Sequence, residues 1–577
     1  MKNKYAVLAL ASLLALGSFT ACGLPFFASN NKEAASASKE SSGNVLPQTS
    51  EPSETNGYDE IESEIYDDVY EEPEFLYKEA MALEGAAYET APDMYAADAY
   101  YDDSYYYEED FNTEEYKSLE ENGFRSVRTS PLSTFAADVD TASYSNLRRM
   151  ILDDGYTLDD IPAGAVRTEE MINYFKYNYD GPEKGEPFGI NAQIAPCPWD
   201  EDHELLMLGL QTEAIDLSDA PDSNLVFLID TSGSMSEDLD LLKEAFGLLV
   251  DELGEKDTVS IVTYAGSDEV LLEGVTCDHK AEIREALDSL EAYGSTNGAA
   301  GIQTAYELAA DNFIKGGNNR VILATDGDLN VGITSESELH DLITEKAKTG
   351  VFLSVLGFGY GNYSDANLET LADNGNGNYS YIDNVTEAKK VLVEELGSTL
   401  LTVAKDVKLQ IEFNPQNVSK YRLIGYENRT MAAEDFDDDT KDGGEIGAGH
   451  SVTVLYELVP ADGEDDEDDG LRYQDQETGS KEDLSDEWLT LSVRYKEPDE
   501  DGSKLLEYQI GKNEYTNEPS DDFTFAAAVA ELGMVLHNSE YLGEGSLDHV
   551  YDALKSLRNT DEYQDEFVYM VNRLKRS

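Results

Sequence analysis

An α/β fold built on a doubly wound parallel sheet is predicted for the middle of this chain by three observations. Between about residues 223 and 403, short apolar runs alternate with longer helical stretches, the rhythm of strands each followed by a crossover helix. The run Leu225-Val226-Phe227-Leu228-Ile229 is apolar throughout and bounded by polar residues, which fits a buried parallel strand. Directly behind it, Asp230-Thr231-Ser232-Gly233-Ser234-Met235 reads as a turn feeding a helix. Its oxygens would gather at the strand's carboxyl end, where open α/β sheets hold ligands.

In chain order, strands are expected at 225–229, 258–264, 320–324 and 351–357, with a shorter one at 379–382. Helices are expected at 237–253, 279–292, 299–313, 335–348 and 386–400. Ahead of this region 134–139 reads as a strand, Asp140 or Thr141 as a cap, and the residues through Arg148 and Arg149 as a helix; 166–175 is a second helix with an apolar stripe. Asp138 and Asp140 are read as capping residues paired with Arg148 or Arg149 rather than as metal ligands. After residue 404 the composition becomes that of strands, at 407–413, 451–458, 488–495 and 505–510, separated by acidic loops. These are expected to join 188–195 and 204–211 in one sandwich that the α/β region interrupts. Helices at 523–538, 547–557 and 563–574 end the chain.

Asp230, Ser232 and Ser234, with Thr296 and Asp326 downstream, form an oxygen ligand set for a divalent cation. Mg2+ takes six oxygens at about 2.0 to 2.1 Å and keeps waters readily, so few carboxylates with neutral hydroxyls suit it, with Mn2+ or Ca2+ as alternatives. A helix capped by Asp230 would account for neither Thr296 nor Asp326. The order Asp-x-Ser-x-Ser, then Gly294-Ser295-Thr296-Asn297, then Leu323-Ala324-Thr325-Asp326-Gly327 resembles the metal-ion-dependent adhesion site of von Willebrand factor type A (vWA) domains. That resemblance implies a Rossmann-like fold with an antiparallel edge strand at 270–275. It also implies Ser232, Ser234 and Thr296 as direct ligands, Asp230 and Asp326 as ligands directly or through water, and a metal able to accept a partner's carboxylate. Three further segments are similar to modules of the YfbK-like bacterial lipoproteins: Thr134-Phe135-Ala136-Ala137-Asp138-Val139-Asp140-Thr141, Tyr421-Arg422-Leu423-Ile424-Gly425-Tyr426, and Gly444-Glu445-Ile446-Gly447-Ala448-Gly449-His450.

At 577 residues with 41% hydrophobic side chains, the chain can bury more than one core. Its net charge of -80, from 120 acidic and 40 basic residues, excludes nucleic acid and anionic lipid as direct partners, since both require Lys and Arg to displace counterions. Lys2 and Lys4 precede an apolar stretch over 5–19, too short to span a bilayer, and then Phe19-Thr20-Ala21-Cys22. That tetrapeptide looks like a lipobox, although Phe19 stands where Leu is usual. The expected organisation is therefore a lipoprotein signal peptide (1–21), lipidation at Cys22, an acidic Tyr-rich tether (22–128) read as disordered, an N-terminal module (129–222), the vWA domain (223–403) and a sandwich-like region ending in helices (404–577). The expected location is the extracytoplasmic face of a bacterial membrane.

Besides Cys22 there are two cysteines, Cys197 and Cys277, read as free thiols. The histidines are scattered singly, without zinc spacing. Asp326-Gly327-Asp328-Leu329-Asn330 fails as an EF-hand, with Val331 where Gly and Ser337 where Glu are required. The acidic run 462–470 is read as a solvated loop. Ser232 and Ser234 lie in no Gly-x-Ser-x-Gly elbow, no Ser-x-x-Lys follows, and Gly294-Ser295-Thr296-Asn297-Gly298 lacks the Lys of a phosphate loop, so no enzyme is expected. Two functions fit. One is a binding protein that docks an acidic group of a protein or envelope partner through Mg2+. The other is an assembly or regulatory component of an envelope complex, in which the metal is mainly structural.

Overall fold

Two short strands, β1 (Arg125–Ser126) and β2 (Leu132–Ala136), precede helices α1 (Ala142–Leu152) and α2 (Thr168–Asn173) and the paired strands β3 (Phe188–Pro196) and β4 (Glu204–Thr212). The computed structural model describes residues 114, 116, 120–137, 140–215, 220–294, 298–327, 336–360, 364–441, 443–461, 484, 486–498, 500 and 502–577. The targeting segment with Cys22, the tether up to residue 113, Asp138, Thr296, Asp328, Asn330 and the acidic run 462–470 lie outside the described residues. The expectation of disorder up to residue 128 is corrected at its end: Arg125 and Ser126 pair as a strand with Tyr421 and Lys420, and Val127 is buried, so this stretch belongs to the folded part.

The α/β region follows. It comprises β5 (Ser223–Asp230), α3 (Leu239–Glu252), β6 (Thr258–Tyr264), β7 (Asp268–Thr276), α4 (Lys280–Asp288), α5 (Gly298–Asp311), β8 (Asn318–Thr325), α6 (Glu336–Ala347), β9 (Phe352–Gly357), α7 (Asp365–Asn374), β10 (Tyr379–Tyr381), α8 (Val385–Lys389) and α9 (Leu396–Leu400). The sheet order is β10-β9-β8-β5-β6-β7, parallel except for the edge strand β7, which runs antiparallel to β6. Every residue of β5 and β8 is buried. Alternation along β5 divides it between two cores: Leu225, Phe227 and Ile229 pack with Leu242 and Phe246 of α3, while Val226 and Leu228 pack with Ile302 and Tyr306 of α5. Each such side chain contributes about 1.5–3 kcal/mol on burial. The helix expected over 386–400 is broken: α8 passes into a wider π turn at Lys390–Glu394 before α9. That turn carries the buried Lys390, whose ammonium donates to Glu395 Oε1 (2.8 Å) and lies 4.2 Å from the Tyr174 ring centroid.

The remaining elements are β11 (Thr402–Phe413), β12 (Val418–Ile424), β13 (Thr430–Met431), β14 (Ile446–Gly447), β15 (Ser451–Pro460), β16 (Glu487–Lys496), β17 (Ser503–Gly511), α10 (Asp521–His537), α11 (Leu547–Ser556) and α12 (Glu562–Arg576). They close a sandwich with strands from before the α/β region: β1-β12-β15-β4-β3 faces β13-β2-β11-β16-β17. The α/β region thus enters between β4 and β11 and leaves the sandwich continuous. Strand β4 again splits by parity. Leu206, Leu208 and Leu210 enter the sandwich core, whereas Leu205 and Met207 face the core shared with α1, α2 and α10 to α12. Helix α10 is buried on almost every side; the Ser520 side chain accepts the Phe523 N–H at its start, and Asn538 ends it in the left-handed region at φ 52°.

The α/β region is tied to the sandwich and helices by buried charge. Arg148 of α1 donates to Asp383 (2.7 Å through Nε), Glu387 (2.8 Å), Glu566 (2.9 Å) and the Tyr174 hydroxyl (3.1 Å). Arg167 pairs with Glu170, Asp365 and Glu369, and Arg429 with Asp140, Glu369 and Asp373. The expected pairing of Asp140 with Arg148 or Arg149 is corrected here. Asp140 Oδ1 accepts the Tyr379 N–H (2.8 Å) and Oδ2 accepts from Arg429 (3.2 Å), so its charge anchors β10 against the sandwich; Arg149 turns to Glu114 and Asp154.

Candidate functional site

Asp230 is the last residue of β5 and is fully buried; Asp326 follows β8 directly and is 4% exposed. Neighbouring parallel strands therefore deliver two carboxylates to one edge of the sheet, as the topology requires. The chain turns after Asp230 because the Ser232 N–H donates back to Asp230 Oδ1 (2.9 Å), while the Thr325 hydroxyl holds Oδ2 (3.0 Å). The Ser232 and Ser234 hydroxyls lie 3.0 Å apart, Ser232 buried and Ser234 exposed at the mouth. Two loops are stitched alongside. The Thr231 N–H donates to the Tyr264 carbonyl (2.9 Å), the Tyr293 N–H to the Thr231 carbonyl (2.8 Å) and the Gly233 N–H to the Gly294 carbonyl (3.2 Å). Of the five ligand residues expected, Asp230, Ser232, Ser234 and Asp326 can thus be placed, and Thr296 lies outside the described residues.

A further acid, Asp238, packs near Asp326 and was not singled out by the sequence. A Cβ on Gly359 would stand 3.0 Å from Asp238 Oδ2 and 3.4 Å from Asp326 Cβ, so the loop after β9 presses on both acids where only glycine fits, at φ +78°. Its only signal in the sequence was an acid just behind the Ser-x-Ser turn. Burial raises Asp238 to about 6, with the Asp326 and Glu237 charges adding to it. Burial likewise raises Asp230 to about 6; the Ser232 N–H works against this and the Asp326 charge reinforces it. The Asp326 charge thus opposes ionisation of each of the other two acids. Two fixed carboxylates beside a hydroxyl pair that opens to solvent form a hard oxygen donor set, so the residues fit Mg2+.

Elsewhere, Asp200, His203 and Glu457 bring ligand atoms within 4.8 Å of one another. His203 Nδ1 lies 2.6 Å from Glu457 Oε1, and Arg422 donates to Glu457 Oε2 through Nε (3.1 Å) and Nη2 (2.7 Å). Asp200 and His203 are half-buried and the guanidinium supplies positive charge beside the buried Glu457, which makes this an ion cluster at the edge of the sandwich. A separate cleft of about 370 Å³ between the end of β3 and α10 and α11 is lined by Cys197, Phe523, Glu531 and His549. Cys197 and Cys277 are buried free thiols, as expected.

Three family profiles match successive parts of the chain. The one described as von Willebrand factor covers residues 110–207, von Willebrand factor type A domain 224–394, and "Uncharacterized protein YfbK, C-terminal" 398–576. The chain is 44% identical over 467 residues to "Uncharacterized protein YfbK" of Escherichia coli strain K12, covering 79% of this chain and 80% of that protein. It is 30% identical over 162 residues to inter-alpha-trypsin inhibitor heavy chain H4 of Homo sapiens, covering 26% of this chain and 17% of that one. A solved von Willebrand factor type A protein from Catenulispora acidiphila is similar at 15% identity and a TM-score of 0.39, covering 69% of this chain and 91% of that one. With a vWA domain set between two halves of one sandwich, and with 80% of the Escherichia coli YfbK protein covered at 44% identity, the chain belongs to the YfbK family of vWA-domain proteins.

Proposed function

We propose that this protein is a lipid-anchored extracytoplasmic binding protein that docks an acidic group of a protein or envelope partner through Mg2+ at its vWA site. A vWA domain is an interaction module, and one observation supports the finer reading: Asp230, Ser232, Ser234 and Asp326 converge at the carboxyl edge of β5 and β8, buried at the floor and open at Ser234. Asp230, Ser232, Ser234 and Asp326 would hold the metal, together with Thr296 by its place in the motif. When bound, the dication supplies an electrophilic position that a carboxylate can fill. The chain's own part is to fix the ligands. Thr325 and the Ser232 N–H orient both oxygens of Asp230, and neutral hydroxyls keep the ligand charge low. Cys22 would carry the lipid that anchors the protein.

Titration calorimetry tests the site. Wild type binds Mg2+, Asp230→Ala abolishes binding, and Ser232→Ala weakens it about tenfold or more with the near-UV circular dichroism of both variants unchanged. Folded Asp230→Ala with undiminished Mg2+ affinity refutes the site. Capture of envelope partners that EDTA reverses while the fold persists supports docking; loss of the fold on chelation supports a structural metal instead. Cys22→Ser moving the protein out of the membrane fraction supports the anchor, and unchanged fractionation refutes it.

A further inference from the structure

Among the described residues, the two most exposed large apolar side chains are Tyr360 (61%) and Tyr293 (58%), and both lie on loops of the metal site. Tyr293 is bonded through its N–H to Thr231, in the middle of the Asp-x-Ser-x-Ser turn. Tyr360 follows Gly359, the residue packed on Asp238 and Asp326, and its hydroxyl donates to Glu237 Oε2 (2.8 Å). Surface tyrosines of this kind supply contact area at low entropic cost and are enriched where proteins dock.

The charge around them is one-sided. The described loop residues at 231–238, 265–267, 289–294, 326–327 and 358–360 include no Lys, Arg or His. Exposed acids stand at this edge at Glu237 and Glu291 on the loops, at Asp240 in the first turn of α3 and at Asp268 and Glu269 at the start of β7. A carboxylate approaching the metal therefore crosses a negative rim whose field reaches roughly 8 Å at physiological ionic strength. Two bound acids, Asp230 and Asp326, already neutralise a dication, so the metal's charge alone does not offset that rim. Cationic neighbours on the partner do so, and they also find the faces of Tyr293 and Tyr360.

We propose that the partner of this site is a protein segment presenting one Asp or Glu carboxylate flanked by Lys or Arg, with Tyr293 and Tyr360 as the surfaces on which the flanking cations stack. This inference rests on the metal reading above. The test uses the mature full chain and three labelled, end-capped peptides, Lys-Lys-Asp-Lys-Lys, Lys-Lys-Asn-Lys-Lys and Glu-Glu-Asp-Glu-Glu, measured by fluorescence anisotropy in saturating Mg2+ and again in EDTA. The basic peptide with a central Asp should bind at least tenfold more tightly than either other peptide, and only with Mg2+. Tyr293→Ala and Tyr360→Ala should each weaken it several-fold with calorimetric Mg2+ affinity unchanged, and Glu237→Lys should lower both affinity and its salt dependence. Normal Mg2+ binding with the acidic peptide bound as tightly as the basic one, or with both tyrosine variants unaffected, overturns this inference alone. Absence of Mg2+ binding by the wild type overturns the metal reading and this inference with it.

Discussion

Replacing Arg148 with Met tests how the vWA domain is held to the rest of the molecule. The side chains of Arg148, Asp383 and Glu387 are 2%, 1% and 1% exposed, while Glu566 is 30% exposed. Methionine keeps most of the arginine's length but takes the main cation from two buried carboxylates, leaving Glu387 only the Lys390 charge. Removing one partner of such a pair costs about 3–5 kcal/mol. The structure adds a pH signature. Burial raises both acids and Arg148 is the main influence lowering them, so in Arg148→Met they hold protons at higher pH. Protonation relieves the repulsion, and the loss of stability should be smaller at pH 5 than at pH 8. Urea unfolding reads this directly. The chain's two tryptophans, Trp199 and Trp488, lie outside residues 223–403, so their fluorescence follows the sandwich and helices while far-UV circular dichroism follows the whole chain. Coincident transitions in the wild type should separate in the variant. Arg284→Met serves as control, because its pair with Asp251 is 43% and 57% exposed and should cost under about 1 kcal/mol. A folded Arg148→Met that loses less than about 1 kcal/mol, or whose loss does not change with pH, refutes the reasoning.

Glu170 is buried beside Arg167, Glu369 and Asp365, and burial raises it to about 7. A carboxylate raised in the folded state stabilises fully below its unfolded value near 4.5 and loses that contribution as pH rises through 7. Thermal melting from pH 5 to 8 should therefore fall less steeply for Glu170→Gln than for the wild type, and identical slopes would sink the assignment. Gly209 faces the Tyr179 ring, whose Cζ would stand 2.3 Å from a Cβ there, and the Tyr179 hydroxyl bonds Thr453 Oγ1 (2.9 Å). Gly209→Ala should displace the ring and cost about 1–3 kcal/mol, seen as a lowered Tm; an unchanged Tm counts against it. Burial pushes Cys277 up to about 11 and Cys197 higher still, so neither thiol should react with a disulfide reagent at pH 8 until urea unfolds the chain. Fast labelling of the native protein contradicts that.

Much of the fold was legible because its signals are local. An unbroken apolar run marks β5, and period-two or helical spacing marks its neighbours. The Asp-x-Ser-x-Ser turn places itself, since a turn behind a central parallel strand has only the sheet's edge to occupy. Three features resisted. Strand β12 carries the buried Arg422, which reads as a surface residue until Glu457, 35 positions later, accepts hydrogen bonds from its guanidinium. The π turn in 386–400 carries Lys390, whose ring partner Tyr174 lies more than 200 positions earlier. Asp140 looked like a helix cap because its partners, Tyr379 and Arg429, lie 239 and 289 positions away.

The sequence by itself determined the α/β alternation, the order of the ligand motif and the acidic, cation-free character of its loops. These follow from neighbours along the chain. Tertiary structure decided that Asp238 packs beside Asp326, that Tyr293 and Tyr360, the most exposed large apolar side chains among the described residues, stand beside the Asp230 and Asp326 loops, and that buried arginines clamp the vWA domain into an otherwise continuous sandwich. A charge can stay buried only where a partner meets it, and these partners stand too far along the chain for spacing or composition to reveal them.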